Sequence, residues 1–567
     1  MTQHELKIAT TILDGFETYW RRFSALTARA EERFRRGDWD GMQADAAERL
    51  DTYQRCLDAV VSDITLRFPE AVDAAAAWES AKIAYEGQST DAADIDLAHT
   101  FFNSVSRRIR HSADVDPAVE FVRFQPPPLP SLQPSRDVIT YTVGDDPLRL
   151  KMVSVLKDSR LGDILADPDE DAGRIARAMI RQVGERPAPV SLDMLTPVFY
   201  RGVGAYLIGR LTLSDGTERP WAAAFVNNDG RVTADGLITD ESGLRILFSF
   251  THSYFHAATV NVGGVIGFLQ GMLPQRRRAE LFISLGYNRH GKTELYRDLT
   301  QHQNACSDIF VKSPGQKGMV MVVFNMPSDN LVFKVIRDRF AEPKRTSRHE
   351  VIAKYDYIFR HDRTGRLPDA QVFEHLIFNT GCFHPDVLDE LQQAAARAIH
   401  LDGEEIILAR VYVERRVTPL DLYLQSADEK AARAAVIDFG QAIKDMAASN
   451  IFPGDLLIKN FGVTELGRVI FYDYDEVCPL TSCRFRNKPK ATSYENELSS
   501  APWFMVGDND VFPEEFILFL GLNEMLRDTL VAHHGDLFTP EFWQAHQARI
   551  QSGTPEHVIP YQRFLDD

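Results

Sequence analysis

Cysteine is scarce in this chain: five in 567 residues, Cys56, Cys306, Cys382, Cys478 and Cys483, with no regular spacing. That excludes a disulfide-stapled scaffold and fits a reducing cytosol. Cys478 and Cys483 are the closest pair, and no second pair completes a zinc site. Long hydrophobic runs are missing too. No uninterrupted apolar stretch reaches the roughly 18 residues at which a membrane-spanning helix becomes a candidate, and the opening Met1-Thr-Gln-His-Glu5 has no apolar signal core. Positive charge is in deficit, with 63 Lys and Arg against 81 Asp and Glu and a formal charge of −18. This argues against a nucleic-acid binder, because neutralising phosphates takes a basic face. The expectation is a cytoplasmic protein with neither a nucleic-acid nor a membrane partner.

Apolar content is an ordinary 44%, spread over a chain too long for one core, so two or three domains are expected. Ile8, Ile12, Phe16, Tyr19, Phe23 and Leu26 recur at steps of four and three, an apolar stripe on a helix that stops near Gly37. Leu50, Tyr53, Leu57, Val60 and Ile64 mark a second helix ended by Pro69, and a third surrounds Phe101, Phe102, Val105 and Ile109. These stripes read as a bundle core. Arg107, Arg108 and Arg110 read as a solvated helix face, with an anion patch as the competing reading. Gln125 to Pro134, with Pro126, Pro127, Pro128 and Pro130, is a semi-rigid connector. Val198 to Leu213 and Arg219 to Val226 are strand-like, with turns at Asp215-Gly216 and Asp229-Gly230, and predict a small antiparallel meander. Asp240 to Leu273 has helical composition, which puts His252 and His256 on one helix face. Without the general-base Glu of the zinc-protease motif they read as core or surface histidines. Gly286 to Thr293 satisfies the Walker A pattern after the strand-like Leu281 to Leu285. No repeating strand–helix pattern surrounds it, so it reads as a coincidence of spacing.

The richest stretch runs from Phe452 to Glu476. Asp455 precedes Asn460 by five positions and Asp473 follows Asn460 by thirteen, the spacing kinases use for a catalytic Asp, a metal-binding Asn and a metal-binding Asp. Phosphoryl transfer needs a carboxylate beside the attacking hydroxyl, and an amide and a second carboxylate to hold Mg²⁺ against the ATP phosphates. Phe461 to Thr464 and Val469 to Tyr474 alternate as strands around Glu465-Leu-Gly-Arg468, a hairpin that carries Asn460 and Asp473 toward one another. Taken alone, the triplet also fits an ordinary hairpin with surface acids.

Support comes from upstream, where the texture turns strand-rich after Cys306. Ser313-Pro-Gly-Gln-Lys-Gly-Met319 reads as a glycine loop entering the strand Val320 to Phe324, able to present backbone amides to phosphates. Sixteen residues after Gly318, Lys334 stands inside an apolar strand, where burial demands a counter-ion such as ATP phosphate. Its glutamate partner is left open between Glu350 and Glu374. Leu408 to Glu414 is a strand leading into Arg415 to Leu424, which resembles the kinase hinge, and Ala431 to Ala448 is a strong helix. The order predicts an α+β chain: a two-lobed protein-kinase-like domain over 309–567, preceded by a mainly helical domain over 1–308 with a small antiparallel sheet.

The runs Ser313 to Met319, Val332 to Phe340, Asn450 to Asp455, Lys459 to Val463 and Phe471 to Glu476 resemble bacterial isocitrate dehydrogenase kinase/phosphatase. So do Thr11 to Phe16, Phe101 to Val105 and Val511 to Phe516. Phe-Pro-Gly-Asp455 in place of His-Arg-Asp, and Asp473-Tyr-Asp in place of Asp-Phe-Gly, are departures from ordinary kinases that this family shares. The resemblance implies a bifunctional enzyme that phosphorylates a serine of isocitrate dehydrogenase and removes that phosphate, setting flux between the tricarboxylic acid cycle and the glyoxylate bypass. It also implies ATPase side activity, ATP and Mg²⁺ as cofactors, and ADP and AMP as effectors acting with a regulatory N-terminal half. By motif matching, Ser313, Pro314, Gly315, Gln316, Lys317, Gly318, Met319 and Lys334 bind ATP. Asp455 is the catalytic Asp, and Asn460 and Asp473 hold Mg²⁺. Asp369 in Arg366-Leu-Pro-Asp-Ala-Gln371 takes the phosphatase role, although from the residues alone it reads as a helix N-cap after Pro368. A small-molecule phosphotransferase of the aminoglycoside-kinase sort and a nucleotide-regulated pseudokinase are the competing functions. A homodimer stays open, as does a substrate-recognition role for Ser482 to Trp503 with Arg484, Arg486, Lys488 and Lys490.

Overall fold

In the computed structural model the described residues are 3–564 apart from 72–73, 93, 112–115, 123–127, 145, 250–253, 306–307, 316–317, 343, 345, 490–503 and 554–555. The chain forms two compact units, Met1–Ser307 with Ile559–Asp567, and Asp308–Val558. The C-terminal segment therefore belongs with the first unit, whereas the sequence boundary of 309–567 assigns it to the second. Asp235 anchors it: the Tyr561 hydroxyl donates to Asp235 Oδ2 at 2.8 Å, and Arg563 pairs with the same oxygen at 3.0 Å, while Arg174 lies over the Phe564 ring. Gly236 makes room, since a Cβ there would fall 2.4 Å from the Tyr561 ring. Among the described residues no helix is long and apolar enough to cross a membrane.

The first unit opens with α1 (Gln3–Arg36) and α2 (Trp39–Arg67). The stripe Ile8 to Leu26 is buried along α1. Gly37 ends the helix in the left-handed region at φ 64°, and Asp38 caps α2 by accepting from the Gly41 amide. Next come α3 (Ala75–Gln88), which the stripes do not announce, and α4 (Ile95–Arg110), whose Phe101, Phe102, Val105 and Ile109 are buried. Arg107, Arg108 and Arg110 form no anion patch. They pair with Glu120, Asp58 and Asp116.

The strands β1 (Val138–Thr142), β2 (Pro189–Leu195), β3 (Phe199–Arg201), β4 (Gly204–Leu213), β5 (Glu218–Asn228), β6 (Arg231–Ile238) and β7 (His256–Ala257) make one antiparallel sheet. Its path is β1-β2-β4-β3-β7, with β5 on β4 and β6 on β5. The expected meander is thus the middle of a larger sheet, hidden in sequence because α5 (Leu148–Asp158) and α6 (Pro168–Val183) separate β1 from β2. His256 lies on β7 rather than on a helix, and burial pushes its imidazole well below the usual range. His252 lies outside the described residues.

The helices α7 (Glu241–Leu247), α8 (Val262–Met272), α9 (Arg278–Ser284) and α10 (Asn288–Ala305) complete this unit. The Walker-like segment is therefore a helix–turn–helix, because Leu281 to Ser284 belong to α9 instead of a strand. Gly291 serves packing: a Cβ there would strike Ile283 at 2.4 Å and the Ala279 carbonyl at 2.9 Å.

The second unit begins with the antiparallel strands β8 (Val311–Lys312), β9 (Met321–Asn325) and β10 (Leu331–Ile336), then α11 (Arg348–His361) and β11 (Ala370–Asn379). It continues through α12 (Pro385–Ala394), β12 (Ile399–Asp402) and β13 (Glu405–Arg415). The sheet order is β11-β13-β10-β9-β8, with β12 on β13. The chain then crosses at β14 (Thr418–Pro419) into α13 (Leu420–Ser426) and α14 (Glu429–Ala448). Beyond α14 lie β15 (Ile451–Phe452), the hairpin β16 (Phe461–Val463) and β17 (Val469–Phe471), and β18 (Cys478–Pro479), which pairs with β15. Buried Phe439, Met446, Phe461, Leu530 and Trp543 belong to one core beneath the hairpin. Truncating such an aromatic costs about 3–5 kcal/mol.

Candidate active site

Lys334 sits on β10 with 7% of its surface exposed. Burial of an ammonium demands partners, and the fold supplies two: Glu414 Oε2 at 2.6 Å and the Tyr472 carbonyl at 2.9 Å. The Tyr472 and Tyr474 rings face the ammonium at 5.3 and 5.9 Å. The partner is neither of the expected glutamates. Glu350 is spent on its own helix, accepting from the Ser347 amide while Ser347 caps α11, and Glu374 pairs with Arg410 at the surface. The register explains Glu414. Val332 lies opposite Glu414 and Lys334 opposite Tyr412, so Lys334 and Glu414 are diagonal neighbours on one face of the sheet. The sequence signal was an acid inside the apolar strand Leu408 to Glu414, mirroring the buried lysine.

Asp455 follows Gly454, which takes φ 78° where a Cβ would meet the Glu476 carbonyl at 2.3 Å. Only glycine fits that turn, and it fixes the loop that bears Asp455 against the segment after β17. Asn460 donates its amide nitrogen to the Asp455 carbonyl at 3.2 Å, so its amide oxygen is the atom it can offer a cation. The β16–β17 pairing, Phe461 opposite Phe471, places Asp473 beside this loop, and the Tyr472 amide donates to the Asn460 carbonyl at 3.1 Å.

Electrostatics tie the acids together. The Asp473 carboxyl is crowded by protein although the residue keeps some exposure. Burial raises its pKa, with Asp455 adding to the rise, and Lys334 and Lys344 oppose it. Asp475, two residues on, is pushed up to about 7 by burial and then by Asp473, against Lys344, Lys334 and Lys354. Lys344 pairs with Glu476 at 2.7 Å, and Lys354 donates to the Asp475 carbonyl. Asp475, Lys344 and Lys354 were missed in the sequence. The repeated Asp473-Tyr-Asp475 was visible, but only packing reveals that the second acid is buried.

The described part of the glycine loop packs on its own strands and on β14. Ser313 donates its amide to the Val323 carbonyl, Gly315 adopts φ 114° with Pro419 of β14 alongside, and the Gly318 carbonyl accepts from Arg337. Gln316 and Lys317 lie outside the described residues, as does Lys490. Asp369 is no helix cap. It immediately precedes β11, where Ala370 is opposite Glu414, and it accepts from Gln371 at 2.6 Å. Its charge acts on Tyr474, whose hydroxyl reaches the Pro368 carbonyl at 3.4 Å, so Asp369 flanks the Asp473–Asp475 segment. Arg366 locks this arrangement. It bonds Asp438 and Asp445 of α14 and the Val469 carbonyl, while its own carbonyl accepts from Phe471.

The donor set suits a divalent cation and phosphates: hard carboxylate and amide oxygens from Asp473 and Asn460, the Asp473 carboxyl raised by burial and by Asp455, with Lys334 acting on it. A second candidate cluster does not fit. Asp96, His290 and Glu294 bring donor atoms within 4.8 Å of one another, but Arg297 bonds Asp96 at 2.8 Å and also Glu294, and Arg278 pairs with Glu294 at 3.0 Å. Guanidinium groups already stand where a metal would.

A glycine loop, a strand lysine paired to a carboxylate, a crossover and an Asp–Asn–Asp loop under a small antiparallel sheet define a two-lobed protein-kinase-like domain. The family model of the isocitrate dehydrogenase kinase/phosphatase (AceK) kinase domain matches residues 308–563, and that of the regulatory domain matches residues 9–307. Proteins named isocitrate dehydrogenase kinase/phosphatase from Anaeromyxobacter sp. (strain Fw109-5) and Xanthomonas campestris pv. campestris (strain 8004) are 42% and 40% identical to it, each match covering 98% of this chain and 96% of the relative. The chain belongs to the isocitrate dehydrogenase kinase/phosphatase family.

Proposed function

We propose that this chain transfers the γ-phosphoryl group of ATP to a serine of isocitrate dehydrogenase, and removes it again at the same nucleotide site. The observation that carries the reading is the convergence of Lys334, Asp455, Asn460 and Asp473 on one cleft within a chain of this family. Bound ATP with Mg²⁺ would supply the activated phosphoryl group and the charge neutralisation that phosphoryl transfer needs. Ser313 to Met319 and Lys334 are the proposed ATP contacts, and Asn460 and Asp473 the proposed metal ligands. Asp455 accepts the proton of the serine hydroxyl. Asp369 orients water for the reverse, hydrolytic reaction, and Asp475, with its pKa near 7, is able to hold or release a proton close by. ATPase side activity, control by AMP and ADP, a cytoplasmic location and a role at the branch to the glyoxylate bypass belong to the same proposal. The test is transfer of label from γ-labelled ATP to purified isocitrate dehydrogenase, followed by its release when ADP is added. Label on a serine that later leaves is expected, and transfer to an aminoglycoside instead would overturn the reading.

A further inference from the structure

Cys478 and Cys483 play no part in the site described above, yet they sit against it. Their sulfurs are 3.5 Å apart across the 3₁₀ turn Leu480–Ser482, and both side chains are partly exposed. The turn is docked on the strand that leads to the catalytic loop. Phe452 is paired with Cys478 and Ile451 with Pro479, and the Leu480 and Thr481 amides donate to the Asn450 carbonyl and Oδ1, each at 3.0 Å. Asp455 follows Phe452 by three positions.

We propose that Cys478 and Cys483 form a peroxide-reactive modification site whose oxidation to a disulfide displaces the loop bearing Asp455. Two sulfurs already in van der Waals contact have about 1.5 Å to close to reach the roughly 2.05 Å of a disulfide, across a single 3₁₀ turn. The two thiols are not equivalent. The hydrogen bond between the two sulfurs lowers the Cys478 pKa, with Ser482 and then Lys354 adding to the fall, and raises that of Cys483. Cys478 is thus the nucleophile and Cys483 the resolving thiol. In the first step the Cys478 thiolate attacks a peroxide oxygen. An S–O bond forms, the O–O bond breaks, the sulfur is oxidised by two electrons to a sulfenic acid, and the peroxide's other oxygen leaves and takes a proton. In the second step the Cys483 sulfur attacks the sulfenic sulfur. An S–S bond forms, the S–O bond breaks, and hydroxide leaves with the Cys483 proton as water. Two equivalents of thiol reverse the change.

The full chain is treated with a small excess of hydrogen peroxide and then alkylated, and its mass and peptide map are read beside phosphotransfer. A loss of two hydrogens and a linked Cys478–Cys483 peptide are expected, with transfer falling at least tenfold and returning on addition of dithiothreitol. In Cys483→Ser the reaction should stop at a dimedone-reactive Cys478, at least tenfold faster than at Cys382, which serves as the internal control thiol. Equal reaction at Cys382, or no linked peptide, overturns the site. A complete crosslink with transfer unchanged overturns its effect on the loop. The mass readout does not depend on the proposed function. Failure of that function would appear as no transfer even in reduced protein, with the crosslink still forming.

Discussion

In the first unit Asp96 and Glu294 face arginines; in the second Asp473 and Asp475 face lysines. The first is buried and had no signal in the sequence, where the Walker-like octet that contains His290 reads as a coincidence; the second is partly buried, and its Asp473 was marked by kinase spacing. The first is closed. Arg297 and Arg278 meet its carboxylates and oppose the rise that burial imposes on Glu294, and His290 between them is kept neutral, its pKa driven down to about 3 by burial. The second is open in the electrostatic sense: burial and mutual repulsion raise Asp473 and Asp475, while Lys334 is turned to Glu414 and Lys344 to Glu476. A planar guanidinium satisfies a carboxylate pair in place, whereas lysines shared among several acids leave part of the repulsion to be relieved by a cation. Buried charge alone does not mark a site; charge left partly uncompensated does.

The comparison breaks most sharply if Asp455→Ala keeps its phosphotransfer. Loss of a positioned base should cost about 10²–10⁴-fold in rate, read as label on isocitrate dehydrogenase, with the unfolding midpoint little changed. In the closed cluster the effects should be reversed. Arg297→Met takes the guanidinium from Asp96 and leaves Glu294 to Arg278 alone, and should destabilise the full chain by about 3–5 kcal/mol in urea, while transfer per folded molecule is kept. Glu414→Gln tests the lysine's partner and should raise the KM for ATP about tenfold, while Glu374→Ala should leave it unchanged.

A smaller effect sharpens the comparison through pH. Because Asp475 is raised to about 7 in the folded chain, folding takes up a proton there between the ordinary carboxylate range and pH 7. Its contribution to stability therefore falls as pH rises through that window. A cation that needs the ionised form must displace that proton. Mg²⁺ affinity, measured calorimetrically, should drop about tenfold from pH 8 to pH 6, and Asp475→Asn should flatten the profile. Smallest of all, Glu350→Ala removes one half of the α11 capping box and should cost about 1 kcal/mol, with no change in transfer.

The grouping of Asp455, Asn460 and Asp473 was legible because it is local: they lie on one loop and the hairpin that follows it, where spacing along the chain fixes spacing in space. The helical stripes of α1, α2 and α4 were legible for the same reason. What escaped depends on pairing between distant segments. Glu414 meets Lys334 only through the β10–β13 register, β1 joins the sheet across two intervening helices, and the C-terminal segment returns to Asp235. Asp369 was misread as a helix cap because Pro368 gives the same local signal before a strand as before a helix. Leu281 to Ser284 was misread because a short apolar run carries no period.

The most direct test of one cleft running two chemistries follows label on isocitrate dehydrogenase with wild type, Asp455→Ala and Asp369→Ala. The account predicts that label arrives and leaves with wild type, arrives but stays with Asp369→Ala, and never arrives with Asp455→Ala. Asp369→Ala that lost both activities equally, or Asp455→Ala that still transferred phosphate, would contradict it.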